Sequence, residues 1–94
     1  MIRVFIERLI AETMETTYDD VEKQTLQAAV CAPGFISGES LTDIKNPRHR
    51  VVLCKFRSEL DWNNWASSPE RKEMMAKINL ILEGEEKITL LDMA

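Results

Sequence analysis

Apolar Ile2, Val4 and Ile6 alternate with Arg3, Phe5, Glu7 and Leu9, which predicts a strand over Ile2–Ile10 with oily residues on both faces. The pattern then changes period. Met14, Tyr18, Val21, Thr25, Ala28, Ala29 and Ala32 recur at helical spacing, with Leu26 at the margin of the stripe. Thr16 and Thr17 each precede an Asp by three residues, a capping-box start, and Asp19, Asp20 and Glu22 suit the positive end of a helix. Pro33-Gly34 stops it. Phe35–Ile44 reads as a second strand, with Gly38 marking a bulge or a close neighbour. Lys45-Asn46-Pro47 reads as a turn, and Arg50–Arg57 as a third strand.

Ser58 with Asp61 signals a short helix that carries both tryptophans, Trp62 and Trp65, on one face. Ser67 or Ser68, followed by Pro69 and Glu70, restarts it as a longer helix. Met74, Met75, Ile78, Ile81 and Leu82 form its apolar face, and Gly84 ends it. Lys87–Met93 is a last strand. The order β-α-β-β-α-β predicts an α+β, ferredoxin-like fold: a four-stranded antiparallel sheet with its helices on one face. Helices on one face leave the other apolar set in water, so a homodimer with sheets packed face to face is expected.

Composition narrows the class. The chain has 94 residues, read as one domain over 1–94, with 45% hydrophobic and 30% charged residues. Twelve basic against sixteen acidic residues give a net charge of −4, which argues against nucleic-acid or membrane partners. Lys45, Arg48 and Arg50 read as a solvated loop. The apolar start is broken by Arg3, Glu7 and Arg8, so neither a signal peptide nor a membrane span is expected. Cys31 and Cys54 lie in apolar runs without metal-like spacing; buried thiols and a cytoplasmic location are expected.

The element order, G-F-I-S-G-E-S-L at 34–41 and D-W-N-N-W-A-S-S-P-E-R at 61–71 together resemble the antibiotic biosynthesis monooxygenase family of the dimeric α+β barrel group. The resemblance covers nearly the whole chain. It implies a dimeric α+β barrel, a pocket between each sheet and its helices, and Trp65, in the W-x-x-S-p-x-R segment, as a wall of that pocket. The haem-degrading branch uses a first-strand Asn, the Trp, and a His ten residues after it. Here those positions are Glu7, Trp65 and Met75, so haem degradation is not expected.

Three residues are the candidate catalytic set. Glu7 lies mid-strand, where desolvation raises a carboxyl toward a useful base; the competing reading pairs it with Arg57 or Lys87. Trp65 would stack on a planar ring, the plainer alternative being core packing. Asn63 and Asn64 point about 100° apart on a helix, so at most one can face a substrate, and Asn64 is the candidate anchor. Trp62 reads as core or dimer contact, His49 as a surface residue, and Met74 and Met75 as core filler. Ser37 and Ser40 lack an activating His–Asp pair, and no dinucleotide or phosphate-loop motif occurs. No cofactor and no metal are expected. The leading expectation is a cofactor-independent monooxygenase of a small aromatic or quinol-like substrate. A non-oxidative isomerase or ligand-binding dimer, and a dimeric interaction module with a filled interior, are the alternatives.

Overall fold

The computed structural model describes residues 1–93. The elements are β1 (Ile2–Leu9), α1 (Glu15–Val30), β2 (Phe35–Asp43), β3 (Asn46–Phe56), α2 (Glu59–Ala66), α3 (Pro69–Asn79) and β4 (Lys87–Leu91). They form the expected α+β, ferredoxin-like arrangement. The sheet order is β2-β3-β1-β4, and every neighbouring pair is antiparallel. No helix among the described residues is long and apolar enough to cross a membrane.

The alternation on β1 sorts its two faces. Val4, Ile6, Arg8 and Ile10 point under the helices and are buried. Val4 and Ile6 meet Val52, Cys54 and Phe56 of β3, Ala29 of α1, and Trp62 and Trp65 of α2. A second cluster joins Ile10, Tyr18, Met75, Ile78 and Ile81. Arg3, Phe5, Glu7 and Leu9 take the opposite face, beside His49, Val51, Leu53 and Lys55 across the β1–β3 register. That face is oily in patches: Leu9, Leu41 and Leu91 are 36%, 44% and 43% exposed.

Gly38 shows why the second strand carries a glycine. A Cβ there would come within 2.7 Å of Leu26 Cδ1, and the β2–β3 register shifts between Phe35 and Ser37. The α1 residues therefore lie close on the sheet.

Several boundaries differ from the sequence reading. Helix α1 starts at Glu15, behind Met14, with no side-chain cap. Thr13 takes φ +67, and this turn starts the helix ahead of the Thr16/Thr17 boxes, which fall inside its first turn. Strand β3 begins at Asn46, because Ile44 and Lys45 alone make the turn and the Asp43 carboxylate accepts from the Lys45 N–H at 2.9 Å. Of the basic cluster read as a solvated loop, Lys45 is in the exposed turn, whereas Arg48 and Arg50 belong to the strand. Arg48 Nε donates to the Ile10 carbonyl at 2.8 Å, and Arg50 pairs with Asp19 while lying over the Tyr18 ring. Only one cysteine is buried: Cys54 faces the helices and Cys31, at the end of α1, is exposed.

Candidate functional site

The tryptophan segment is built by two caps. Ser58 Oγ accepts from the Asp61 N–H at 3.1 Å, and Ser68 Oγ accepts from the Arg71 N–H at 3.2 Å with Pro69 opening α3. The Arg57 fork donates to Asp61 at 2.9 and 3.2 Å, and the Ser58 hydroxyl adds a third bond. These bonds to its charged form, led by Arg57, hold the Asp61 carboxyl below its ordinary value. Gly34, at φ +83, lies against Asp61 where any Cβ would overlap the carboxyl. So fixed, α2 turns both indoles inward. Trp62 meets Phe56 edge-on with centroids 5.5 Å apart, and the Arg71 guanidinium lies over its ring at 5.4 Å.

Opposite the indoles lies a charged cluster. Arg8 shares the inward parity of Val4 and Ile6, and Glu22 stands one turn after Tyr18. Arg8 Nη1 pairs with Glu22 and donates to the Tyr18 hydroxyl at 3.1 Å. Arg8 Nε donates to Glu86 at 3.1 Å, and Arg71 Nη2 reaches the other Glu86 oxygen at 2.6 Å. Burial pushes the Glu22 carboxyl above its ordinary value, against the pull of Arg8. Burial would lower Arg8, but Glu22, Tyr18 and Glu86 outweigh it and raise its pKa. Burial also pushes Tyr18 to about 12 and Cys54 to about 11, so both stay protonated at neutral pH.

Two hollows flank Trp65. The inner one, between sheet and helices, is a chamber of about 20 Å³ walled by Arg8, Glu22, Cys54, Trp62, Trp65 and Arg71. The outer one is a cleft of about 230 Å³ between α1 and the α2–α3 corner, lined by Ala28, Ala32, Asp61, Asn64, Trp65 and Ser68. Trp65 is the partition between them. Glu22 also borders a cleft of about 280 Å³ between α1 and β2, where Ser40 Oγ lies 3.5 Å from its carboxylate.

The structure brings Trp65 and Asn64 together at the outer cleft. It does not bring Glu7 to them. Glu7 lies on the opposite sheet face, its carboxylate 3.6 Å from His49 Nε2, because odd positions of β1 point away from the helices. Its cross-strand neighbours are Val51 and Lys87. His49 is half-exposed in β3 and contacts Asp43 at 2.9 Å. Sequence reasoning missed Arg8, Glu22, Arg71 and Glu86. For the first three the signal was positional: Arg8 keeps the parity of Ile6, Glu22 sits four residues after Tyr18, and Arg71 four before Met75. The sequence reading gave Glu22 only a place at a helix start and Arg8 only the breaking of an apolar run.

The sequence profile of antibiotic biosynthesis monooxygenases matches residues 1–77. No curated protein sequence gives a significant match. Solved structures are similar throughout. One antibiotic biosynthesis monooxygenase superposes with a TM-score of 0.91 at 14% identity, covering 100% of this chain and 99% of the other. A conserved protein from Methanosarcina mazei Go1 gives 0.89 at 18% identity, over 95% and 88% of the two chains. SnoaB, a cofactor-independent oxygenase from Streptomyces nogalater, gives 0.87 at 12% identity, over 99% and 93%. At such identities the likeness concerns the fold.

Proposed function

The chain belongs to the antibiotic biosynthesis monooxygenase family, and from that premise we propose that it is a cofactor-independent monooxygenase acting on a small aromatic or quinol-like substrate. The observation that carries this reading is that Trp65 and the Glu22 carboxylate wall one buried chamber. The filled, uncharged interior of a mere dimerisation module would offer neither.

The chemistry needs a substrate that can itself reduce O₂. For an anthrone-like CH₂ the balance is CH₂ + O₂ → C=O + H₂O. Glu22 takes one proton, and the carbanion passes an electron to O₂. The radical pair joins as a C–O bond, the peroxide regains the proton, and loss of water leaves the carbonyl. The protein binds, deprotonates and keeps water away. In this scheme Trp65 stacks on the ring and Asn64 anchors a polar substituent from the cleft. Glu22 takes the role of base, since Glu7 faces the other way. A chamber of about 20 Å³ holds one water, whereas about 150 Å³ accepts a benzene ring. Substrate therefore opens the partition.

The proposal includes a homodimer through the open sheet face, where Phe5, Leu9, Leu41, Val51, Leu53 and Leu91 would leave water. It also includes a cytoplasmic setting, where the exposed Cys31 thiol stays reduced.

The test is O₂ uptake with a panel of quinols and anthrones. Glu22→Gln is expected to lower kcat by about 10²–10⁴. A loss in Glu7→Gln with none in Glu22→Gln would move the base to the other face and end the chamber reading. Ligand-raised melting temperatures without O₂ uptake would favour the non-oxidative alternative.

A further inference from the structure

We propose that Arg8 and Arg71 form a binding site for one oxyanion of an aromatic substrate, and that Glu86 occupies this site as an internal stand-in when substrate is absent. The inference names the substrate class of the chamber described above and rests on that site.

The first observation is the geometry of Glu86. Its two carboxylate oxygens are divided between two guanidiniums, Arg8 Nε at 3.1 Å and Arg71 Nη2 at 2.6 Å. All three side chains are nearly buried, at 2%, 10% and 11% of full exposure. Charge-assisted contact with two guanidiniums is how proteins hold carboxylates, phenolates and phosphates.

The second is what carries Glu86. Residues 83–86 have no regular secondary structure. The Glu83 N–H donates to the Leu9 carbonyl at 2.7 Å, and Lys87 is already paired with Glu7 in the sheet. Between those anchors Gly84 takes φ +84, with open space around it, and Glu85 is exposed. Glu86 alone of the loop's three acids turns inward.

The third is the space. Arg71, Met75, Asn79, Gly84, Glu85 and Glu86 line a groove of about 510 Å³ on the outer side of the clamp. Arg71 also walls the inner chamber. Arg71 thus faces both spaces, with the Trp62 ring under its guanidinium, and Glu86 holds it from the groove side.

Charge decides the ligand. Arg8 and Arg71 against Glu22 and Glu86 sum to zero. Without Glu86 one positive charge is left uncompensated in a buried place, which is costly unless an anion replaces it. A monoanionic, planar aromatic compound fills both needs. An ionised phenol or enol, the electron-rich form that reacts with O₂, meets that description.

The test is calorimetric titration with 2-naphthoate and its neutral counterpart 2-naphthamide, neither of which needs turnover. Absence of oxygenation would therefore sink the proposed function and leave this inference standing. Removing an internal competitor raises the fraction of open sites, so Glu86→Gln is expected to bind naphthoate about tenfold tighter than wild type, with naphthamide unchanged. Adding Arg71→Gln should abolish the gain. Equal or weaker naphthoate binding in Glu86→Gln overturns the proposal; so does an equal gain for naphthamide, which would report room and not charge. If Glu86→Gln does not fold, Glu86→Asp, one methylene shorter, serves instead. A smaller gain of the same sign supports the proposal, and no gain overturns it.

Discussion

Replacing Arg8 by Met keeps an unbranched, flexible side chain, two atoms shorter, and removes its charge. Four bonds vanish: those to Glu22, Tyr18, Glu86 and the Met75 sulfur. Glu86 retains Arg71, but Glu22 keeps only the Tyr18 and Ser40 hydroxyls, at 3.4 and 3.5 Å. Its side chain is only 6% exposed, so water replaces the guanidinium poorly. Breaking a buried pair by removing one partner costs about 3–5 kcal/mol. At a urea slope of about 1.3 kcal/mol/M, the midpoint should fall by about 2–4 M with little change in slope.

The loss should also depend on pH, with a determinate sign. Burial already raises Glu22 in the wild type, and without Arg8 only the Tyr18 and Ser40 hydroxyls pull it back. A carboxyl with a raised folded pKa contributes stability that is present below its unfolded value and lost as pH rises through the folded one. The Arg8→Met deficit should therefore be largest at alkaline pH and shrink on acidification. Adding Glu22→Leu removes the stranded charge, so the double variant should lose less than the sum of the singles by about 2 kcal/mol. A loss below about 1 kcal/mol, flat with pH and additive in the double variant, would refute the cluster as a tightly coupled buried unit.

Other perturbations test other parts. Gly34→Ala forces a Cβ into Asp61 at a left-handed φ and should cost at least about 1–2 kcal/mol by denaturant titration, with Arg57→Ala adding less than its usual share. The Asp43 carboxylate, with Glu7 behind it, raises His49, whose stabilisation is complete below its ordinary 6.5 and lost as pH rises through the higher folded value. The contact with His49 lowers Asp43, whose contribution is present above its ordinary 3.8 and lost as pH falls through the lower folded value. Melting temperature should plateau between those limits and lose its alkaline shoulder in His49→Gln; an unchanged profile would remove the pair from the pH response. Leu53→Asp on the open sheet face should give a monomer by light scattering at micromolar concentration, and an unaltered dimer, or a monomeric wild type, would contradict the face-to-face assembly.

Much of the fold was legible because it rests on local rules. Period-two alternation marked β1, the cap residues Ser58 and Ser68 marked both later helices, and Gly38 announced a close neighbour that proved to be Leu26. Helical spacing put Trp62 and Trp65 on one face, and the structure turns that face inward. What could not be read was which of two oily strand faces the helices would cover. Alternation divides β1 into two sets without ranking them, so Glu7 and Arg8 were equal claimants to the interior until α1 and α2 packed against one side. Packing chose the set of Ile6. It sent Glu7 to the far face with His49 and brought Arg8 from β1, Glu22 from α1, Arg71 from α3 and Glu86 from the loop before β4 into one cluster. The sequence by itself determined the elements, their order and the shared face of the two tryptophans, since each depends on neighbours a few residues away. The charged chamber was decided only by the tertiary structure, because a buried charge is tolerable only beside partners, and these partners lie up to 78 residues apart along the chain.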